Sequence, residues 1–217
     1  MKNKLAIFDM DETLVSSDFT WDLAAGRFLD RCGIEHDRSI DNAFSNHGVS
    51  YVISKLRNEY EINLEERDLF QALTEETLDD YNTNVSLKGF ARETVSLFRD
   101  SGYFTCVLSA NSPLVLNIIK NRFPTELEMD AWFSTRELPW SKGDSRVFDL
   151  VASYFGLKSK DCILIDDAEY AIASAEKIGM DYIRLVNKKN YNGFSPDGIA
   201  YASFADAMPK IKEIIGL

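Results

Sequence analysis

The residues with the most chemistry in them lie close to the N-terminus, where Leu5-Ala6-Ile7-Phe8 runs directly into Asp9-Met10-Asp11-Glu12-Thr13-Leu14. A short unbroken apolar run reads as a strand buried on both faces, and carboxylates at its end are costly unless something stabilises their charge. Side chains two apart on a strand share a face, so Asp9 and Asp11 could share one site while Met10 faces away. The alternative is a strand followed by a plain acidic turn. Further along, Ser109-Ala110-Asn111 follows another apolar run, with Ser112 as an N-cap candidate and Pro113 at the first helical position. The free N–H groups of that helix start could cradle an anion beside Ser109, or the segment could be an ordinary turn. Lys142 stands in Trp140-Ser141-Lys142-Gly143-Asp144; a turn lysine is commonly solvated and becomes functional only if it reaches the same site. Asp166-Asp167 closes the apolar run Cys162 to Ile165. Adjacent carboxylates there favour an oxygen-seeking cation such as Mg²⁺, or they cap a helix. Adjacent side chains diverge on a strand, so only one of the two is expected to bind a metal directly.

These groups meet only if the elements carrying them align their ends. From Val85 the pattern alternates: a helix from Phe90 to about Asp100, a strand from Phe104 to Leu108, and a helix from Ser112 to about Phe123. A helix over Ser145 to Tyr154, a strand over Cys162 to Ile165 and a helix over Ala168 to Ile178 follow. A strand over Asp181 to Val186 and a helix over Phe204 to Ile215 complete the series. Such alternation implies βαβ units with right-handed crossovers, hence an α/β fold with a Rossmann-like, mostly parallel sheet flanked by helices. In open sheets of this kind, ligands bind beyond the carboxyl ends of the strands, where all these polar groups fall. Between Leu14 and about residue 84 the period is helical instead. Trp21, Ala24 or Ala25, Phe28 and Cys32 form one stripe; Val52, Leu56 and Tyr60 form a second; Leu69, Leu73 and Thr77 or Leu78 form a third. These stripes read as packing surface and the segment as a helical insert. The expected division is a core of residues 1–15 and 86–217 with a small all-helical domain over 16–85, hinged at Ser16-Ser17 and at Asn82 to Lys88.

The 217 residues carry 24 Lys and Arg against 35 Asp and Glu, a formal charge of −11, and 45% are hydrophobic. That composition suits a globular protein with a sizeable core and disfavours nucleic acid and anionic membranes as partners. An acidic chain that handles anions must build a local positive site from a metal, a lysine or backbone amides. No apolar stretch approaches the roughly 20 residues that span a bilayer, and the short run after Met1-Lys2-Asn3-Lys4 is not expected to be a signal peptide. Cys32, Cys106 and Cys162 are expected to be buried, reduced thiols, consistent with a cytoplasmic protein. His36 and His47 show no metal-ligand spacing. A monomer is the default expectation.

Taken together and in this order, Asp9-Met10-Asp11-Glu12-Thr13, Ser109, Lys142 and Asp166-Asp167 resemble the four motifs of the haloacid dehalogenase-like superfamily of phosphatases. The first resembles that family's D-x-D-x-T, and the resemblance covers essentially the whole chain. The resemblance includes the insert between the first motif and the next core helix, where one subgroup of the superfamily carries an all-helical cap. The stretches Gly89 to Asn111 and Ile163 to Ile172, with Ala175 and Gly179-Met180, look especially like the sugar-phosphatase and beta-phosphoglucomutase branch. The chain departs from that branch at Glu12, where Gly is usual, at Gly143, where Pro is frequent, and at Ala171, where Gly is common. None of these removes a reacting group.

The resemblance implies a Mg²⁺-dependent phosphomonoesterase acting on a small phosphorylated metabolite such as a sugar phosphate. Asp9 would be the nucleophile, forming an aspartyl-phosphate, and Asp11 the acid and then the base. Asp9, the Asp11 carbonyl and Asp167 would hold the metal, with Asp166 a direct or water-mediated ligand. Lys142 would neutralise Asp9 and the phosphoryl oxygens, while Ser109 and the amides near Ala110 and Asn111 grip them. The cap would exclude water, with Lys55 or Arg57 as substrate contacts. Dehalogenase relatives lack a carboxylate at the Asp11 position, because a halide leaving group needs no proton. Two other readings remain: a phosphoglucomutase-like phosphotransferase using the same residues, and an inactive phosphate- or partner-binding module.

Overall fold

The computed structural model describes residues 2–41, 43–186 and 200–217, and the chain divides into two compact units, Met1–Ser16 with Ser86–Leu217, and Ser17–Val85. The first unit is built on a five-stranded parallel sheet of order β5-β4-β1-β6-β7, comprising β1 (Lys4–Phe8), β4 (Tyr103–Ser109), β5 (Ala131–Ser134), β6 (Cys162–Asp166) and β7 (Asp181–Arg184). β1 is the central strand, and the chain adds β4 and β5 on one side of it and β6 and β7 on the other. Such a reversal of winding opens a crevice at the carboxyl end of the central strand. The register sets Phe8 opposite Val107 on one side and Ile165 on the other, so the residues that follow these strands emerge together.

Helices cover both faces of the sheet. On one face, Leu5, Ile7, Cys106, Leu108, Cys162 and Leu164 pack against Val147, Phe148 and Val151 of α7 (Arg146–Tyr154) and Ala171, Ile172 and Ala175 of α8 (Glu169–Lys177). The small alanines of α8 let it lie close to the strands, and burial of Phe148 alone contributes about 3–5 kcal/mol against truncation to alanine. On the other face Phe8 meets Phe98 of α5 (Ala91–Asp100) edge to face at 5.8 Å, and α9 (Phe204–Ile215) packs against α5. The helix after β4, α6 (Pro113–Arg122), starts where the sequence expects it, with Ser112 accepting from the Val115 N–H at 3.4 Å.

The second unit holds α1 (Asp18–Arg31), α2 (Ala43–His47), α3 (Val49–Asn58) and α4 (Glu66–Thr83), with a 3₁₀ turn at Arg38–Ile40. Trp21 stacks on Phe44 at 5.1 Å and on Phe70 at 5.6 Å, around a core that includes Phe28, Val52, Leu56, Leu69 and Leu73. α1 is tied to α4 by Arg27 on Asp80 at 2.5 Å and by the Trp21 indole N–H on the Tyr81 hydroxyl at 3.1 Å. Of the alternatives in the stripes, Ala24 and Ala25 are both buried, and Thr77 is buried where Leu78 is half-buried. The chain leaves and re-enters the α/β unit through the antiparallel pair β2 (Val15–Ser16) and β3 (Ser86–Leu87).

Some expectations need correction. Cys32 is exposed, because α1 ends at Arg31 and the last member of its stripe falls on the C-cap. β1 ends at Phe8, so Asp9 and Asp11 lie on the loop beyond it and do not share a strand face. β7 stops at Arg184; Leu185 bridges instead to Tyr201, an isolated pairing. β5 and the β2–β3 pair have no counterpart in the sequence reading. β2 and β3 are two residues long, too short to show a period, and β5 has only three consecutive apolar residues, one fewer than the unbroken runs of β1 and β6.

Candidate active site

Asp9 leaves the sheet centre with its main-chain N–H donating to the Ile165 carbonyl at 2.9 Å, which extends the β1–β6 pairing by one bond and sinks the residue to 5% exposure. Its carboxylate is met by Lys142, whose ammonium donates to Asp9 Oδ1 at 2.6 Å and to Asp166 Oδ2 at 2.8 Å. Lys142 is only 2% exposed, against the ordinary behaviour of a turn lysine. Desolvation favours its neutral form, yet Asp166 and Asp9 more than reverse this and raise its pKa well above the usual value. The lysine is therefore a fixed positive charge.

Asp166 is fully buried and uses both oxygens: Oδ2 accepts from Lys142 and Oδ1 from the Ala168 N–H at 2.8 Å. Asp167 is half-buried, and adjacency on the strand does not keep it from the same site as Asp166. Carboxylate oxygens of Asp9, Asp166 and Asp167 lie within 4.8 Å of one another. Burial, chiefly, raises the Asp9 pKa well above the carboxylate range; Lys142 opposes this, and Asp166, Asp167 and Asp11 reinforce it. Asp167 is pushed up to about 7, again chiefly by burial and then by Asp166. Closely set, desolvated carboxylates with an all-oxygen donor set fit a hard divalent cation, which offsets their mutual repulsion. Since both Asp166 oxygens are engaged, Asp9 and Asp167 are the better donors.

Asp11 is drawn away from that cluster. Its Oδ2 accepts from Asn111 Nδ2 at 3.1 Å, with the Ser109 hydroxyl at 3.5 Å. Asn111 is itself fixed: its Oδ1 accepts from the Ser112 N–H at 2.8 Å, and its carbonyl accepts from the Ser134 hydroxyl at 2.6 Å. The Asn111 N–H is taken by Ser109 Oγ at 3.1 Å. Ala110 is exposed, and its carbonyl accepts from Arg136 Nε at 3.2 Å. The carboxyl ends of β1, β4 and β6 and the turn before α7 thus contribute Asp9, Asp11, Ser109, Asn111, Lys142, Asp166 and Asp167 within the α/β unit. Lys55 and Arg57 belong to the helical unit: Lys55 pairs with Glu59, the C-cap of α3, at 2.5 Å, and Arg57 lines a concavity with Ser54 and Asn58.

Two further residues join the site that the sequence reading did not assign to it. Glu12 adopts a left-handed φ of 56°, and its carboxylate meets Lys88 at 2.7 Å. Tyr170, in the first turn of α8, interacts electrostatically with Lys142, Asp166, Asp9 and Asp167. A lysine 76 positions from its partner carries no local periodicity that could have joined them.

The model of the haloacid dehalogenase-like hydrolase family matches residues 6–185. No curated protein matches the chain. Among solved structures, CbbY from Rhodobacter sphaeroides, in complex with phosphate, aligns with a TM-score of 0.78 at 15% identity, over 94% of this chain and 96% of its own. A candidate beta-phosphoglucomutase from Thermotoga maritima gives 0.77 at 14% identity, over 97% and 99%. A phosphoglycolate phosphatase from Haemophilus somnus 129PT, assigned by prediction, gives 0.76 at 19% identity, over 97% and 98%. At these identities the likeness is one of fold. Among the described residues, no helix is long and apolar enough to cross a membrane.

Proposed function

The chain belongs to the haloacid dehalogenase-like hydrolase family, and from that premise we propose that it is a Mg²⁺-dependent phosphomonoesterase of small phosphorylated metabolites, sugar phosphates foremost. The observation that carries this reading is the buried lysine shared by Asp9 and Asp166 at 2.6 and 2.8 Å, beside a second aspartate, Asp11, held apart by Asn111. One carboxylate is poised next to a fixed positive charge, and the other is set to exchange protons. That division of roles is what phosphoryl transfer through a covalent carboxylate requires.

In this mechanism an Asp9 oxygen attacks phosphorus, the ester P–O bond breaks, and Asp11 gives its proton to the departing alcohol oxygen. Asp11 then takes a proton from water as the water oxygen attacks the aspartyl-phosphate, and cleavage of the P–O(Asp9) bond frees phosphate, restoring the Asp9 carboxylate and leaving Asp11 protonated for the next cycle. Lys142 offsets charge on Asp9 and on the phosphoryl oxygens, and the Ser109 hydroxyl with the Ala110 amide contributes donors to those oxygens. Asp9, the Asp11 carbonyl and Asp167 would hold Mg²⁺, with Asp166 fixing Lys142. When bound, the ion supplies the charge that lets an anionic substrate approach a carboxylate. The α/β unit is assigned as the catalytic core and the Ser17–Val85 unit as a cap domain that selects substrate, with Arg57 a better candidate contact than the paired Lys55.

Phosphate release from a panel of phosphorylated sugars and nucleotides, with Mg²⁺ and with EDTA, tests the reading alongside Asp9→Asn. Mg²⁺-dependent release that the variant loses by at least about 10³-fold is expected. Release that survives the substitution would overturn it. The likeness to a candidate beta-phosphoglucomutase favours one second reading, in which the same residues return the phosphoryl group to the sugar. Formation of an isomeric sugar phosphate in place of free phosphate distinguishes the two. CbbY, a protein of the same fold, was solved in complex with phosphate, which supports phosphate chemistry in general and selects neither reading.

A further inference from the structure

Glu12 is one residue beyond Asp11, and its backbone is held at a φ of 56°, a region that residues with a Cβ enter only when their surroundings keep them there. The turn is closed by the Met10 carbonyl, which accepts from the Leu14 N–H at 2.9 Å and the Val15 N–H at 3.0 Å. Lys88 then clamps it from the start of the segment where the chain re-enters the unit. Its own N–H donates to the Leu14 carbonyl at 2.9 Å, and its ammonium reaches Glu12 Oε2 at 2.7 Å. Side-chain exposures of 14% for Glu12 and 26% for Lys88 take this pair out of the class of freely solvated surface bridges, which contribute little. Both side chains also line one concavity of about 380 Å³ in the α/β unit. A carboxylate and an ammonium, locked together one residue beyond Asp11, change little in total charge. They do fix where each charge lies.

We infer that the Glu12–Lys88 pair is a charge-balancing device of the phosphoryl site, in which Lys88 neutralises the additional carboxylate next to Asp11 and so sets the balance between cation and anion affinity. The inference rests on the proposed phosphatase reading and deepens it. Both Glu12 and Lys88 act electrostatically on Asp167, with opposite signs, which accords with that position. The physical consequence is specific. Losing Lys88 uncovers a negative charge near the cation donors, so a divalent cation binds more tightly and an anionic substrate more weakly. Losing the Glu12 charge does the reverse. A pair that served only as a mechanical clamp would instead weaken both ligands in either variant, because either loss would loosen the same turn.

The experiment is calorimetric titration of the metal-free protein with MgCl₂, and of the Mg²⁺-saturated protein with inorganic phosphate, for the wild type, Lys88→Met, Glu12→Gln and the double variant. Lys88→Met is expected to tighten Mg²⁺ by about three- to tenfold and weaken phosphate by a similar factor. Glu12→Gln is expected to shift both in the opposite directions, and the double variant to return near the wild type. Lys88→Arg keeps the charge and is expected to match the wild type in both titrations, which separates a charge effect from a folding defect. Same-sign changes in the two single variants, or no change in either, overturn the inference while leaving the phosphatase reading standing. A wild-type protein that binds neither Mg²⁺ nor phosphate overturns both.

Discussion

Lys142 and Asp11 illustrate two ways in which one side chain can matter. Lys142 is the shared partner of two buried carboxylates, so removing it would strand both charges at a cost of about 3–5 kcal/mol. Loss of activity in such a variant would not separate chemistry from folding. Asp11 is different: it is half-buried, and Asn111 and Ser109 hold it through one oxygen. Asp11→Asn keeps the shape and removes the exchangeable proton. The expected outcome is a fall in kcat of about 10²–10⁴-fold for a substrate with a poor leaving group. Stability should stay within about 0.5 kcal/mol of the wild type. A substrate whose alcohol leaves readily, such as an aryl phosphate, should lose less in its first step, and comparing the two leaving groups in pre-steady-state kinetics checks the assignment. Equal losses in that step for both would remove Asp11 from the acid role.

The elements bring these residues together, and the sequence announced some of them better than others. β1 and β6 carry continuous apolar runs, Leu5 to Phe8 and Cys162 to Ile165, and β4 one interrupted only by Thr105, each followed by polar residues, so the strands and their termini were legible. The α1, α3 and α4 stripes were legible for the same reason of periodicity. What pattern could not supply was pairing over long separations: Lys142 with Asp9, Glu12 with Lys88, or edge strand β5 with β4. β5 shows how such a strand is secured. Asp130 precedes it, donates its N–H to the Thr105 carbonyl at 2.8 Å, and accepts through Oδ2 from the Thr105 N–H at 2.9 Å and from Lys2 at 2.9 Å. Burial opposes its ionisation, but Lys2 and the Thr105 N–H outweigh it and hold the carboxyl below its usual pKa. A depressed folded-state pKa contributes stability above the unfolded-state value and loses it as pH falls through the folded one. Asp130→Ala should therefore cost about 1 kcal/mol at neutral pH, discounted for partial exposure, and the gap should narrow as pH falls below the unfolded-state carboxylate value of about 3.9 toward the lower folded-state one. Urea unfolding at several pH values reads it; a gap that widens on acidification would contradict the ionic account.

For the molecule as a whole, a formal charge of −11 and a buried aspartate cluster pull in the same direction. The folded chain concentrates carboxylates that the unfolded chain keeps apart, so part of its folding free energy is stored as repulsion at the carboxyl end of the central strand. A divalent cation that binds this arrangement and not the unfolded chain stabilises it by mass action. At about a hundredfold excess over its Kd, Mg²⁺ should add about 2.7 kcal/mol to the α/β unit. In a chain of this size that corresponds to a rise in melting temperature of about 5–10 °C. Slowed hydrogen exchange at the amides of β1 and β6 would locate the effect in the sheet that carries the donors. Ionic strength alone screens diffuse charge, so NaCl matched in ionic strength should give only a small part of the rise. Asp167→Asn removes one donor and some of the repulsion together. It should raise the melting temperature of the metal-free protein and cut the further gain from Mg²⁺. An equal Mg²⁺ gain in wild type and Asp167→Asn would mean that the cation acts elsewhere on the acidic surface, and the metal assignment at Asp9 and Asp167 would fall with it.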